Sequence, residues 1–450
     1  MSIECDVVVV GLGPGGESVV ARLADAGLKV VAVEAELVGG ECPYWGCIPS
    51  KMFIRAANAL AEARRVEMLA GGVSVTPDFA PVAKRIRDEA TDNWDDTVAA
   101  KRVTDAGATL VRGHGRLVGD RTVEVDGETY VASKGVVLNI GTTAAVPPID
   151  GLADTPYWTN REAVSTESVP GSLIVIGGGA IGLELAQAFS RFDSQVTVLE
   201  VAPRILAPEE PESSELLAKV FEAEGIAVHA GVTIDRVDHD GKRFTVTCGD
   251  KTYDADQLLI AAGRKARIDD VGLDAVGVTV EKFLEVDDSM HVCGMNGKEG
   301  LWAIGDIVGR GAFTHVSMYQ AERVSKAILG EPLEAYDSSF PRVTFTDPEV
   351  GGVGLTEKQA RDKGINVRVG SGDISSSSRG WLHSVGNEGI IKLIIDDDRG
   401  VIVGATSAGP TGGETLSGLA FAVRAEIPIA TLKNTIYAYP TFYRAIESAL

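Results

Sequence analysis

Two cysteines stand close enough in this sequence to act together. They lie in Gly39-Gly40-Glu41-Cys42-Pro43-Tyr44-Trp45-Gly46-Cys47-Ile48-Pro49-Ser50-Lys51, whereas Cys5, Cys248 and Cys293 are solitary. Two thiols cannot complete a four-ligand zinc site, and no histidine lies near them in sequence. Four intervening residues at the start of a helix suit a reversible disulfide, and a helix N-terminus would stabilise a Cys47 thiolate. The alternative is a pair of buried cysteines serving only as small apolar side chains.

Phosphate-binding chemistry is written twice. Gly11-Leu12-Gly13-Pro14-Gly15-Gly16 follows the run Cys5 to Val10, opens an Ala/Val/Leu-rich helical stretch, and leads through Lys29 to Val33 into Glu34. Gly177-Gly178-Gly179-Ala180-Ile181-Gly182 follows Ser172 to Ile176, opens Leu183 to Phe192, and leads through Gln195 to Leu199 into Glu200. In both copies the glutamate stands 23 positions after the first glycine. That is an internal duplication of a βαβ dinucleotide-binding unit. Gly11 and Gly177 permit the tight turn, Gly13 and Gly179 let a pyrophosphate reach the backbone, and Gly16 and Gly182 let helix and strand pack closely. The helix N-terminus offers unpaired N–H groups and a partial positive charge, while Glu34 and Glu200 would accept from ribose hydroxyls. A purely structural role for such turns is the competing reading, and the equal register of two copies argues against it.

The elements that must position these groups follow from periodicity. Lys51 to Leu69 and Phe79 to Ala106 carry apolar residues three and four apart, as helices do. Short strands are expected at Thr109–Val111, Thr122–Val125 and Val136–Ile140, and Pro147 to Gly151 reads as a junction. Leu258 to Ala262 is a further strand running into a turn at Gly263. From Phe340 the texture becomes alternating strands, at Gly389–Ile395 and Val401–Ala405, with helices at Leu416–Arg424 and Phe442–Ala449. This is the pattern of a separate α+β domain. The serine run Ser375 to Ser378 reads as a solvated loop.

Composition sets the outer limits. The 450 residues leave room for two to four domains, and 45% apolar with 24% charged content is that of a folded globular chain. A net charge of −22 with no basic stripe opposes nucleic-acid phosphate and anionic lipid. No apolar run reaches the roughly 18 residues of a membrane span, and the start Met1-Ser2-Ile3-Glu4-Cys5 has no basic leader. The expectation is a cytoplasmic protein, where five cysteines are not a structural disulfide framework. The 52 glycines exceed the usual ~7%, as repeated close backbone approach would require.

These motifs together resemble the class I pyridine nucleotide-disulfide oxidoreductases, the family of dihydrolipoamide dehydrogenase, glutathione reductase and mercuric reductase. The cysteine segment resembles the family's glycine-rich cysteine segment ending G-C-I-P-[ST]-K, with three residues, Pro43-Tyr44-Trp45, between Cys42 and Gly46 and the family's four-residue separation of the two cysteines kept. Val137 to Thr142 resembles the I-A-T-G-S turn, Ala303 to Asp306 the second FAD segment, and Phe345 to Glu349 the start of the interface domain.

The resemblance implies an α/β fold with two Rossmann-like domains and a C-terminal α+β dimerisation domain. Its boundaries would be an FAD domain over 1–150 and 266–338, an NAD(P) domain over 151–265, and an interface domain over 339–450. FAD would lie on Gly11, Gly13, Gly16, Glu34, Gly141 and Asp306, with His315 as flavin-side structure. The nicotinamide nucleotide would lie on Gly177, Gly179, Gly182, Glu200 and Gly263. Glu200 repels a 2′-phosphate and favours NADH over NADPH, although Arg204 is near enough in sequence to reach such a phosphate. Lys51 and Glu184 would pair beside the flavin. Cys47 would be the charge-transfer thiolate and Cys42 the interchange thiol.

One departure stands out. The family's reductases carry H-P-T-x-x-E, an acid–base pair reaching across a homodimer, whereas here Tyr439-Pro440-Thr441-Phe442-Tyr443-Arg444 puts tyrosine where the histidine belongs and arginine where the glutamate belongs. No histidine follows His383 and no cysteine follows Cys293, so the extra C-terminal cysteine pair of mercuric reductases is missing too. With an ordinary pKa near 10, Tyr439 is a poor proton acceptor at neutral pH, and positioned acid–base catalysis is worth roughly 10²–10⁴-fold. Tyr439 as hydrogen-bond donor, Tyr443, Glu447 and His383 are the possible stand-ins. The expected function is NADH-to-disulfide electron transfer to a small disulfide or related acceptor. The alternatives are a quinone or diaphorase-type reductase using the flavin directly, and a redox-sensing flavoprotein subunit.

Overall fold

The valine-rich runs of this chain form its buried strands. The computed structural model describes residues 2–295 and 299–450 and divides into two compact units. The first comprises Met1–Pro49, Arg85–Ala144 and Arg264–Tyr336; the second comprises Ser50–Lys84, Ala145–Gly263 and Asp337–Leu450.

In the first unit the strand Ser2–Val10 sits inside a seven-stranded sheet. Its Val7 to Val10 pair in parallel with Val30–Val33 on one side and Gly135–Leu138 on the other. Val7, Val8 and Val9 are fully buried, as in a parallel strand covered on both faces. Thr109–Arg112 extends one side, Thr122–Val125 and Arg116–Gly119 the other, and Leu301–Ala303 pairs with Glu128–Leu138. The turn after the first strand can be made only from glycine. A Cβ on Gly11 would lie 2.5 Å from the Asn139 carbonyl oxygen, and one on Gly16 2.1 Å from the Gly11 oxygen.

The second unit repeats the scheme. A parallel sheet runs Ala227–Ala230, Gln195–Glu200, Ser172–Ile176, Gln257–Ile260, with helix Ala180–Arg191 after the glycine turn. A three-stranded antiparallel sheet (Arg236–His239, Phe244–Cys248, Lys251–Ala255) packs into the same core. The C-terminal region is a five-stranded antiparallel sheet ordered Arg342–Thr344, Glu349–Gly354, Val401–Gly409, Ile390–Asp396, Val367–Asp373, covered by helix Gly412–Arg424.

The stretch Phe79 to Ala106 differs from the single helical pattern of its apolar residues. Helix Ala80–Arg85 passes into a π-helical turn, Ile86–Ala90, and the Thr91 hydroxyl closes it by donating to the Ile86 and Arg87 carbonyls at 3.1 Å. Asp92, Asn93 and Trp94 then take φ values of 48°, 56° and 57°, and helix resumes at Thr97–Asp105. Apolar spacing persists through such a reversal because both halves bury one face. The C-terminal stretch likewise divides into a 3₁₀ turn, Phe442–Arg444, and a helix, Ala445–Ala449. Among the described residues no helix is long and apolar enough to cross a membrane.

Candidate active site

Cys42 lies in the short helix Glu41–Tyr44, and Cys47 opens the long helix Cys47–Leu69. Cys42 is half-buried and Cys47 exposed. Both sulfurs approach one hydroxyl. Thr314 Oγ1 donates to Cys42 Sγ at 3.1 Å and lies 3.5 Å from Cys47 Sγ. The other three thiols sit elsewhere, each pushed toward the neutral form: burial carries Cys5 up to about 11, and burial with neighbouring carboxylates raises Cys248 and Cys293. Trp45, between the two cysteines in sequence, stacks on Trp94 with centroids 5.4 Å apart. Trp94 in turn donates from Nε1 to the Tyr44 carbonyl at 3.2 Å. The reversal at Asp92–Trp94 therefore buttresses the cysteine segment.

A polar chain runs through the same unit. Arg264 lies 3.4 Å from the Glu41 carboxylate and donates from Nε to Thr142 Oγ1 at 2.7 Å; Thr142 donates to Asp306 Oδ2 at 2.8 Å. Asn139 stands beside the first glycine turn. Its amide oxygen accepts from Gly16 N–H at 3.0 Å and its nitrogen donates to Ser317 Oγ at 3.3 Å. His315 is exposed and stacks on Phe313.

The two strand-end glutamates are held identically. Glu34 accepts from Leu12 N–H at 2.6 Å and Glu36 N–H at 2.8 Å; Glu200 accepts from Gly178 N–H at 2.5 Å and Ala202 N–H at 2.6 Å. Burial holds the Glu34 carboxyl above its ordinary range. Each carboxylate oxygen keeps a further lone pair for a ribose hydroxyl. In the second unit Lys51 Nζ donates to Glu184 Oε2 at 2.7 Å and lies 4.8 Å from the Phe345 ring centroid. Glu184, 6% exposed, also accepts from Phe345 N–H at 2.8 Å, so its charge is fully partnered.

At the C-terminal segment the stand-ins divide. Tyr443 Oη accepts from Ala438 N–H at 2.6 Å, Glu447 pairs with Arg444 at 2.8 Å, and His383 packs edge-on to Phe442. Tyr439 is 69% exposed, with the Arg444 guanidinium 5.7 Å from its ring centroid. Among the described residues no group of three or more His, Cys, Asp or Glu could hold a metal ion.

A family model for pyridine nucleotide-disulphide oxidoreductases matches residues 5–321, and the dimerisation domain of the same family matches 340–450. The chain belongs to that family. The oxidoreductase is 34% identical to a dihydrolipoyl dehydrogenase of Chlorobaculum tepidum, over 100% of this chain and 97% of the relative. It is 32% identical to a mercuric reductase of Shewanella putrefaciens, over 98% and 80%. Among solved structures it resembles the HOCl-induced flavoprotein disulfide reductase RclA of Escherichia coli, with a TM-score of 0.86, 25% identity and 98% and 99% coverage. LpdA of Mycobacterium tuberculosis aligns with a TM-score of 0.86 at 22% identity, over 99% and 98%. The oxidoreductase is thus a flavoprotein enzyme whose chemistry is electron transfer from NAD(P)H through flavin to a disulfide. Its matched dimerisation domain supports a homodimer.

Family membership implies FAD and a nicotinamide nucleotide, and the turns fit them. A Cβ on Gly141, Gly179 or Gly263 would meet nothing within 4 Å, so the backbone there borders open space a ligand can fill. Asp306 was expected at the flavin from sequence, and Asn139 and Thr142 fall within the matched Val137–Thr142 turn, whereas the contacts of Thr314 with the cysteines and of Arg264 with Glu41 and Thr142 were not marked by any local pattern. Only the neighbouring His315 pointed to the stretch holding Thr314.

Proposed function

We propose that this oxidoreductase uses NADH to reduce the Cys42–Cys47 pair, which then reduces a small disulfide. The convergence of both sulfurs on Thr314 is the observation that carries this reading, because it marks the two cysteines as one reactive pair while the other three thiols are held neutral. FAD, when bound, supplies the two-electron link between nicotinamide and disulfide. Gly11, Gly13, Gly16, Glu34, Gly141 and Asp306 would hold it, with His315 at its edge; Gly177, Gly179, Gly182, Glu200 and Gly263 would hold the nicotinamide nucleotide. The domain boundaries that go with this are 1–150 and 266–338 for FAD, 151–265 for NAD, and 339–450 for the interface.

Glu184, itself held by Phe345 N–H, fixes the Lys51 ammonium through a charge-assisted hydrogen bond. Cys47, at a helix N-terminus, is the sulfur that accepts the electron pair. Cys42 is the thiolate that attacks the acceptor disulfide, releasing a thiolate of the acceptor; attack by Cys47 on the mixed disulfide restores the pair and frees the second acceptor thiol.

Arg204 supports NADH. Its guanidinium donates to the Leu206, Ala207 and Glu209 carbonyls and to Ser214 Oγ, all at 2.6–3.0 Å, so it is committed to its own loop rather than offered to a 2′-phosphate. The second reading, direct donation from flavin to a quinone or similar acceptor, is favoured by Tyr439 and Arg444 in place of the acid–base pair. Replacing Cys42 by serine and assaying lipoamide, glutathione disulfide, other low-molecular-weight disulfides, quinones and Hg²⁺ separates the two. Loss of disulfide reduction is the expected result, and a full complement of activity would remove the disulfide from the route.

A further inference from the structure

We propose that Thr314 is the proton relay of the cysteine pair, keeping Cys42 reactive without the family's histidine. The inference rests on the reading that Cys42 and Cys47 carry the electrons. Thr314 is the first residue of helix Thr314–Leu329, as Cys47 is of Cys47–Leu69. Two helix N-termini therefore meet at the sulfurs, and both favour negative charge there. Between the sulfurs stands one hydroxyl, 3.1 Å from Cys42 Sγ and 3.5 Å from Cys47 Sγ.

A hydroxyl has one donor and two acceptor sites, which is what a pair holding one thiol and one thiolate needs. With the thiol on Cys47, its S–H donates to Thr314 Oγ1 while the Thr314 O–H donates to the Cys42 thiolate. Shifting both protons along that line gives a Cys42 thiol and a Cys47 thiolate. One proton has crossed from sulfur to sulfur, the electron count of each atom's bonds is conserved, and Thr314 ends as it began. The proton that a histidine would hold thus stays within the pair. Removing the hydroxyl would take the Thr314 donor away from the Cys42 thiolate.

Other charges bear on these sulfurs and set the background. Glu41 adjoins Cys42 and pairs with Arg264, His315 adjoins Thr314, and Lys51 follows Cys47 by one turn of the same helix. None is altered by a change at position 314, so a threonine series isolates the hydroxyl.

The test uses the flavin-loaded protein reduced with dithiothreitol. Iodoacetamide alkylation of Cys42 is followed by peptide mass across about pH 5 to 9. Thr314→Val keeps the shape and removes the hydroxyl; it should lower the Cys42 alkylation rate at neutral pH about tenfold, with the rate at the alkaline end unchanged. Thr314→Ser should restore the wild-type profile. Should the valine variant lack bound flavin or native circular dichroism, Thr314→Ala replaces it with the same expectation. A wild-type profile in either hydroxyl-free variant overturns the proposal. Disulfide reduction retained by Cys42→Ser would instead overturn the electron route, a result separate from the Cys42 alkylation profiles of the Thr314 series.

Discussion

Arg204 shows how a residue's meaning depends on what its side chain already holds. In sequence it stands four positions after Glu200, where a cation could recruit a 2′-phosphate; in space three hydrogen bonds tie it to the loop Leu206–Glu209 and a fourth to Ser214. Arg204→Ala should therefore cost stability while leaving the ratio of kcat/KM for NADH and NADPH unchanged. Glu200→Gln should narrow that ratio by about tenfold, one charge-assisted hydrogen bond being worth about 1.5–3 kcal/mol. Steady-state kinetics of both variants with both nucleotides decide it, and a ratio moved by Arg204→Ala would refute the assignment. Glu184→Gln tests the role proposed for the Lys51–Glu184 pair. The amide still accepts from Phe345 N–H but no longer faces Lys51 with a charge. Flavin bleaching by NADH, followed by stopped flow, should slow about tenfold or more, equivalent to about 1.4 kcal/mol in the barrier.

At the scale of elements, the second glycine turn separates packing from binding. Gly182 meets the Gly177 carbonyl oxygen at 2.1 Å from a notional Cβ, whereas Gly179 meets nothing and has an ordinary φ of −85°. Gly182→Ala should thus lower the melting temperature through overpacking worth about 1–3 kcal/mol. Gly179→Ala should hold stability within about 1 kcal/mol yet raise KM for NADH about tenfold, because its methyl group occupies the approach of the pyrophosphate. Equal melting temperatures for the two variants would contradict the geometry. The strand–turn–helix unit itself was legible in sequence, since strand, turn, helix and glutamate recur at fixed spacing and periodicity reports local structure. The reversal at Asp92–Trp94 was not, because Trp94 is held by stacking on Trp45 and the apolar pattern continues on both sides. Nor was the contact of Thr314 with Cys42, 272 residues away, which no local pattern encodes.

At the scale of the whole molecule, a chain of net charge −22 must manage its own repulsion, and the second unit does so around Lys392. Nearly buried on the sheet Ile390–Asp396, its ammonium meets Glu210 at 3.0 Å, Glu212 at 2.7 Å and Glu357 at 2.9 Å. Arg342 adds a two-toothed pair with Glu209 at 2.6 and 2.9 Å. The nucleotide-binding sheet and the C-terminal sheet are thereby joined through adjacent glutamates. The hydrogen bond from Lys392, then that from Arg361, holds Glu357 below its ordinary 4.5, so its contribution is present above that value and lost as pH falls through the lowered one. Lys392 is held above its ordinary 10.5 by its three carboxylate partners against the opposing effect of burial. Its contribution is complete below 10.5 and fades only as pH rises through the raised value. Chemical denaturation should give a plateau between these limits. Lys392→Met should lower the plateau at neutral pH by about 3 kcal/mol, because Glu210 remains buried beside Glu357 without its cation. The sign of the acid limb should also reverse. Protonating an uncompensated buried carboxylate relieves it, so the variant should gain stability as pH falls from neutrality toward about 5, where the wild type stays level. A variant that tracks the wild type across that range would show that the three glutamates do not depend on Lys392.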